Sequence, residues 1–590
     1  MYCCATALIT GLAHGQNQSD QIRMSQIGFY PNGEKIAVVI DSSKATKFFI
    51  LTNSPQRDTV FRGRLTESNV WDYSEEKVIK ANFSAFKETG EYILFVPGVG
   101  YSHPFLIQEK VLDPLAKAAI RSFYYHRATI DLPEKHAGRW ARKGGHMDDR
   151  AIIHNSAAFG NRKAGTIIKS SKGWFDAGDY NKYIVNSSIT VYTMLCILED
   201  FPLYAEQQNL NIPESGNKLP DVLDEVLWNL RWMLTMQDPQ DGGVYHKLTT
   251  AAWDNSVMPE AANSPRFVVK KTTNATLDFA AVMAHASKIL AKYRKQIPGL
   301  SDSCLSASRY AYKWAEKNVQ VPYIQSELSC PSIVTGAYDD FKFADEFFWA
   351  SIELFITTGK IEYFDKSGFD KMMAAGFAYP GWESVEELGL YSLARNAAEM
   401  KDNPDYEDVG FDLARKRILK MGAALKNHKT VSAYGVPMGT QAADFNWGSN
   451  GVCANEGFIL LQCFMLTNDY AFLEAANANL DYLTGRNATT YSFITGFGEK
   501  SSRNPHQRLS EADGIDDPVP GFLVGGPNSG QEDIGFCTGK YKSKLSAKSY
   551  VDDRCSWASN EIAINWNAAL SYLANGIEAI RSQNYVQYEF

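Results

Sequence analysis

The chain has 590 residues, 59 Lys+Arg against 67 Asp+Glu, a net charge of −8 and 45% hydrophobic residues. That composition excludes wholesale disorder, and the acidic balance with no run of five basic residues excludes an electrostatic nucleic-acid footprint. No stretch reaches the roughly 18–20 apolar residues of a membrane span. Aromatics make up 13%, which suits core packing and equally suits ligands with flat apolar faces, sugars among them.

Met1 to Leu12 is apolar, and Ala13-His14-Gly15 places small residues where a signal peptidase reads. Residues 1–21 are therefore expected to be a signal-peptide remnant or a disordered tail, and the protein extracytoplasmic: periplasmic, cell-surface or secreted. Nine cysteines form no disulfide framework. Cys453/Cys463 and Cys537/Cys555 are candidate pairs, with free buried thiols the preferred reading.

Residues 22–109 read as short strands, among them Ile36–Ile40, Lys47–Leu51, Val60–Leu65 and Tyr92–Val96, separated by turns such as Pro31-Asn32-Gly33. Strands spaced this way predict a small β-sandwich. From 110 to 590 the apolar period becomes helical. Val222, Val226, Leu230 and Met233 recur behind Leu219-Pro220, and similar segments are expected near 113–130, 180–200, 273–294, 301–318, 342–358, 361–377, 383–400, 408–427, 451–468, 470–484 and 559–582. About twelve helices without a short repeat predict a closed double ring of antiparallel helix pairs rather than a solenoid. The long loops 239–272, 428–450 and 487–558 are expected to build a site.

Three segments carry chemistry. Asp176 and Asp179 flank Gly178 ahead of a predicted helix, where two side chains can converge, one holding a water and the other orienting it. Glu561 is placed in the first turn of an apolar helix, among Trp557, Ile562 and Trp566; desolvation there raises its pKa towards general-acid duty. Arg503-Asn504-Pro505-His506-Gln507-Arg508 is a Pro-stiffened turn able to hydrogen-bond a polyhydroxylated ligand.

In this order the segments resemble glycoside hydrolase family 9. Asp-Ala-Gly-Asp is similar to its base motif, Asn-Pro-His-x-Arg to its substrate-binding turn, and Asn-Glu-x-Ala-x-x-Trp-Asn-Ala to its acid motif. Gln26-Ile27-Gly28-Phe29-Tyr30-Pro31 resembles the start of the immunoglobulin-like module found in one branch. The resemblance implies a mainly α fold, an (α/α)6 barrel preceded by a small immunoglobulin-like β-sandwich. It further implies an inverting endo-β-1,4-glucanase acting on cellulose-like or decorated soluble β-glucans, including xyloglucan and mixed-linkage glucan. Asp179 would be the base, Asp176 the second carboxylate, Glu561 the acid, and His506 and Arg508 sugar ligands, with Tyr245, His246 and Trp447 lining the cleft.

Gln507 stands where many relatives carry a second His. Residues 124–154 hold His126, His136, His146 and His154 but no Cys, so the Cys-ligated zinc of some relatives is ruled out. No cofactor is expected; structural calcium is an option at Asp339-Asp340 or across Asp513 to Asp517. The expected partner is a β-glucan chain, with no nucleic acid, no transmembrane segment and a monomeric state. Two rivals remain: an exo-acting hydrolase of cello-oligosaccharides or glucosamine oligomers, and a non-catalytic carbohydrate-binding relative.

Overall fold

The computed structural model describes residues 17–376 and 378–585; most of the proposed signal segment, with Cys3 and Cys4, lies outside them. Ten strands follow: β1 Ile22–Arg23, β2 Gly28–Phe29, β3 Ile36–Ile40, β4 Lys47–Thr52, β5 Thr59–Arg64, β6 Asn69–Trp71, β7 Glu76–Asn82, β8 Gly90–Val96, β9 Gly100–Tyr101 and β10 Phe105–Ile107. One sheet has the order β1-β3-β7-β6 and faces a second, β2-β10-β8-β4-β5, with β9 on β8. Phe29, Phe48, Ile50, Ile79, Phe83, Leu94 and Phe105 fill the space between them. Gln18 already bridges to Tyr101, so the sandwich begins earlier than residue 22.

The barrel contains α1 Asp113–His126, α2 Ile184–Asp200, α3 Asp221–Thr235, α4 Thr273–Leu290, α5 Leu300–Lys317, α6 Ala344–Thr358, α7 Glu386–Arg395, α8 Phe411–Val431, α9 Ser449–Thr467, α10 Tyr470–Leu483 and α11 Ile564–Arg581. Helices α2, α4, α6, α7, α9 and α11 are buried along nearly their whole length and form the inner ring. Apolar residues on every face mark a helix surrounded by protein. Helices α1, α3, α5, α8 and α10 pack outside, and the sixth outer position is taken by the pair Ile361–Lys366 and Phe369–Ala374. A single helix is expected over 361–377; it breaks at Ser367-Gly368, where Gly368 takes φ +72° and interrupts the ladder.

The inner helices are all entered from one rim. Asp176 and Asp179 precede α2, Tyr338 precedes α6, Trp447 precedes α9 and Glu561 precedes α11, so one rim gathers the positive ends of the inner-helix dipoles. The opposite end is closed by Asp200 on α2, which accepts hydroxyls from Tyr391 on α7 at 3.0 Å and Tyr572 on α11 at 2.6 Å. A small sheet stiffens the rim: β11 Ala151–Ile153, β12 Ile167–Ile168, β13 Lys182–Tyr183, β14 Lys247–Thr249 and β15 Phe267–Val268, in the order β12-β11-β15-β14-β13.

The sandwich is packed onto the barrel. Trp71 meets Tyr434 at 4.2 Å between centroids, Tyr73 meets Phe445 at 5.3 Å, and Glu76 takes an ion pair from Lys548 at 2.7 Å and a hydrogen bond from the Tyr434 hydroxyl at 2.9 Å. Phe445 lies two residues before Trp447, so the module braces a loop of the rim.

The expectation of free thiols fails at one pair: Cys537 and Cys555 are disulfide-bonded, with Cα atoms 5.4 Å apart. Cys453 and Cys463, both on α9, stay free and buried, donating weakly to the carbonyls of Asn479 and Ile418. Ten residues of helix hold these two cysteines about 15 Å apart along the axis, beyond disulfide reach, whereas a loop can fold back on itself.

Candidate active site

Gly178 is the point at which the three chemistry-bearing segments meet. A methyl group there would lie 2.4 Å from the His506 carbonyl oxygen and 3.2 Å from Glu561 Oε1, so only glycine permits the approach. The Gly178 carbonyl accepts the Arg508 backbone N–H at 3.0 Å and Arg508 Nη1 at 2.9 Å. The first N–H of α11, from Ile564, donates to the Asp176 carbonyl at 2.9 Å. Sequence-distant segments are thus stitched by main-chain bonds, which hold side chains more tightly than side-chain contacts could.

Asp176 is buried, and its two oxygens accept from Asn186 Nδ2 and the Tyr338 hydroxyl, each at 2.7 Å. Burial and then the charge of Asp179 push its carboxyl well above the ordinary range, so the pair holds one negative charge more readily than two. Asp179 Oδ2 accepts from Asn181 Nδ2 at 2.5 Å and from the Tyr183 hydroxyl at 3.2 Å. The two aspartates were expected directly ahead of a helix; β13 intervenes, and it is Asn181 and Tyr183, not a helix end, that orient Asp179.

Glu561 is not in a helical first turn. It sits in an extended break, φ −68° and ψ 157°, between the short helix Trp557–Asn560 and α11. Its carbonyl accepts from Gly525 N at 2.7 Å, and the neighbouring Asn560 carbonyl accepts from His506 N at 2.8 Å. Burial raises the Glu561 carboxyl to about 7; His506 opposes the shift and Asp179 adds to it.

His506 Nδ1 faces the Arg554 carbonyl at 2.9 Å and Glu511 Oε1 at 3.3 Å. Burial disfavours its cation, but Glu511, Glu561 and the Arg554 carbonyl outweigh that and raise its pKa. Arg508 also donates Nε to the Asp254 carbonyl at 2.8 Å, and its guanidinium lies 5.7 Å over Trp253, which is half exposed. Gln507 is buried against His126, 3.2 Å between Nε2 atoms, so it supports the turn from behind.

Two expected cleft residues are corrected. Tyr245 is fully buried, its hydroxyl donating to Asp238 at 3.0 Å, and His246 is fully buried, stacked on Tyr323 at 4.2 Å and 3.0 Å from Thr272. Both side chains fall behind the rim because β14 and its approach run inward. His246 Nε2 lies 2.8 Å from the Ala337 carbonyl and so steadies the loop that presents Tyr338. Trp447 remains exposed, 4.7 Å from Trp557. Sequence reasoning missed Tyr338, Asn186, Asn181, Tyr183 and Trp253. A Tyr or Trp in a long loop was the available signal, and it does not separate site from core.

Asp340 joins Asp278, Asp345 and Glu346 beneath this rim. Both Asp278 oxygens, Asp340 Oδ2 and Glu346 Oε2 are buried without a hydrogen-bond partner, and burial with mutual repulsion pushes Asp278 and Glu346 well above the ordinary range. Hard oxygen donors with surplus negative charge are the kind calcium takes; no three of these residues have oxygens within 4.8 Å of one another, so binding would have to draw them together. Asp517 instead pairs with Arg139 at 3.1 Å and Arg503 at 2.8 Å. Cys196, Glu199 and His285 also cluster, but Arg395 at 2.5 Å and Lys288 at 3.3 Å occupy Glu199 as ion pairs. Among the described residues no helix is long and apolar enough to cross a membrane.

A double ring of helices with three carboxylates and a His/Arg turn gathered at one rim defines a glycoside hydrolase. The model of the family described as Glycosyl hydrolase family 9 matches residues 113–574, and that of the Cellulase N-terminal ig-like domain matches residues 17–101. The chain belongs to glycosyl hydrolase family 9 and is a glycoside hydrolase of the endo-β-1,4-glucanase type. It is 43% identical to the xyloglucan-specific endo-beta-1,4-glucanase BoGH9A of Bacteroides ovatus, over 98% of each chain. Endoglucanase D of Acetivibrio thermocellus is 32% identical over 96% of this chain and 82% of the relative. A solved structure titled Bacteroides ovatus GH9 superposes with a TM-score of 0.87 at 43% identity, covering 95% of this chain and 99% of the other.

Proposed function

We propose that the protein hydrolyses xyloglucan by inversion, with Glu561 as general acid, Asp179 as general base and Asp176 holding the attacking water. The observation that carries this reading is the Gly178 junction, which brings the Glu561 carboxylate against the aspartate segment, where burial raises that carboxyl to about 7. Glu561 gives its proton to the glycosidic oxygen as the anomeric carbon–oxygen bond breaks. Water adds to the anomeric carbon from the opposite face and yields a proton to Asp179. Asp176, held by Asn186 and Tyr338, fixes the water's direction of attack. His506 and Arg508 would bind the sugar beside the scissile bond, and Trp447 would carry a neighbouring one. Asp278, Asp340, Asp345 and Glu346 would hold calcium, which stiffens the α6 entrance and with it Tyr338.

The xyloglucan preference is supported by the 43% identical relative of that specificity. A periplasmic, surface or secreted location is supported by the Cys537–Cys555 bond, which persists in oxidising compartments. Digestion of xyloglucan, mixed-linkage glucan and carboxymethyl cellulose in parallel, with the product anomer followed by NMR, tests the reading. Rapid mid-chain cleavage of xyloglucan to α-anomeric ends is expected. Nascent β-anomers would overturn inversion, and cleavage only of undecorated glucans would overturn the substrate.

A further inference from the structure

We propose that Ile534 and Phe536 form an apolar platform for the pentosyl side chains of a decorated β-1,4-glucan, an extension of the catalytic groove; the idea rests on the substrate reading above. Ile534 is 48% and Phe536 77% exposed. They sit on a tight coil in which the N–H groups of Phe536 and Cys537 donate to the Asp533 carbonyl at 2.8 and 2.9 Å.

That coil is tied three times to the segment leading into Glu561. Asp533 Oδ2 accepts the Ala558 N–H at 2.7 Å, Cys537 is bonded to Cys555, and Lys540 pairs with Asp553 at 2.5 Å. The Cys537 and Cys555 Cα atoms are 5.4 Å apart, and Phe536 is one Cα step of about 3.8 Å away. Its backbone therefore lies within about 9 Å of Cys555, the residue after Arg554, whose carbonyl meets His506 at 2.9 Å. Two residues beyond Cys555, Trp557 packs against Trp447.

Ile534 and Phe536, two residues apart on a braced loop and left in water, offer apolar area for a ligand to cover. A pentosyl ring, lacking the exocyclic hydroxymethyl of glucose, presents a flat C–H face suited to an aromatic. Bracing lowers the ordering cost of the contact. A glucan backbone lying beside Trp447 would carry its branches toward this tip.

The test uses the full-length protein with Ile534→Ser/Phe536→Ser, assayed on a xylosylated cello-oligosaccharide and on cellohexaose. Ile534 is half and Phe536 largely exposed, and an unchanged Tm checks that the variant folds. Expected is a fall in kcat/KM of about five- to tenfold on the decorated substrate, with cellohexaose unchanged within about twofold. Cys537→Ser/Cys555→Ser should shift the same ratio while leaving both apolar residues in place. Equal loss on both substrates, or no loss on the decorated one, overturns the platform. A wild-type dimer abolished by the double variant would reassign the patch to self-association. A wild-type protein unable to cleave the decorated substrate would instead overturn the substrate reading.

Discussion

Replacing Glu561 with Gln should cost activity and return stability, in a pH window set by the carboxyl itself. Burial raises that group from 4.5 to about 7. Between those values the folded protein holds a proton that the unfolded chain releases, so this group's contribution to stability falls as pH rises through the window and the penalty is complete above it. At about 1.4 kcal/mol per pH unit the full penalty is about 3 kcal/mol, and a wet cleft face reduces it to about 2–3 kcal/mol. Gln is neutral at every pH. E561Q should therefore match the wild type near pH 4 and exceed it near pH 8. For a barrel of this size, unfolding entropy of about 1 kcal/mol/K makes that roughly 2–3 °C in Tm. The same variant should lose about 10²–10⁴ in kcat on xyloglucan, while the wild-type kcat/KM declines above about pH 7 as the acid deprotonates. Paired thermal melts at pH 4 and pH 8, with the pH–rate profile, check both halves. A stability difference equal at the two pH values, or turnover by E561Q within tenfold of wild type, would refute the assignment of a buried, protonated acid.

Tyr338→Phe removes one of two donors to Asp176; kcat should fall about tenfold for a lost bond of about 1.5 kcal/mol, with KM unchanged, and steady-state kinetics checks it. Chelation should lower Tm by several degrees, with recovery on adding calcium. Asp278→Asn/Glu346→Gln should make the melt insensitive to chelator, because the variant no longer needs a cation to offset buried charge. A wild-type melt indifferent to both reagents would leave the acidic cluster without an ion.

What could be read along the chain was what depends on local pattern. Strand alternation before residue 109, helical periodicity after it, and the Asp176/Asp179, Glu561 and His506/Arg508 segments are near-neighbour features. Which face of a loop residue meets water is not such a feature. Tyr245 and His246 carry side chains suited to a sugar cleft, yet they pack inside against Asp238 and Tyr323, while Tyr338, in an unremarkable loop, reaches Asp176.

The sequence alone determined that a sandwich precedes a ring of helices and that two carboxylate motifs exist, because backbone periodicity and residue type suffice for both. Only the tertiary structure decided that Glu561 stands in an extended break, that Cys537 reaches Cys555, and that Gly178 is where Glu561, the His506 turn and the two aspartates converge. Each of those depends on contacts between residues far apart in the chain, whose geometry no local pattern encodes.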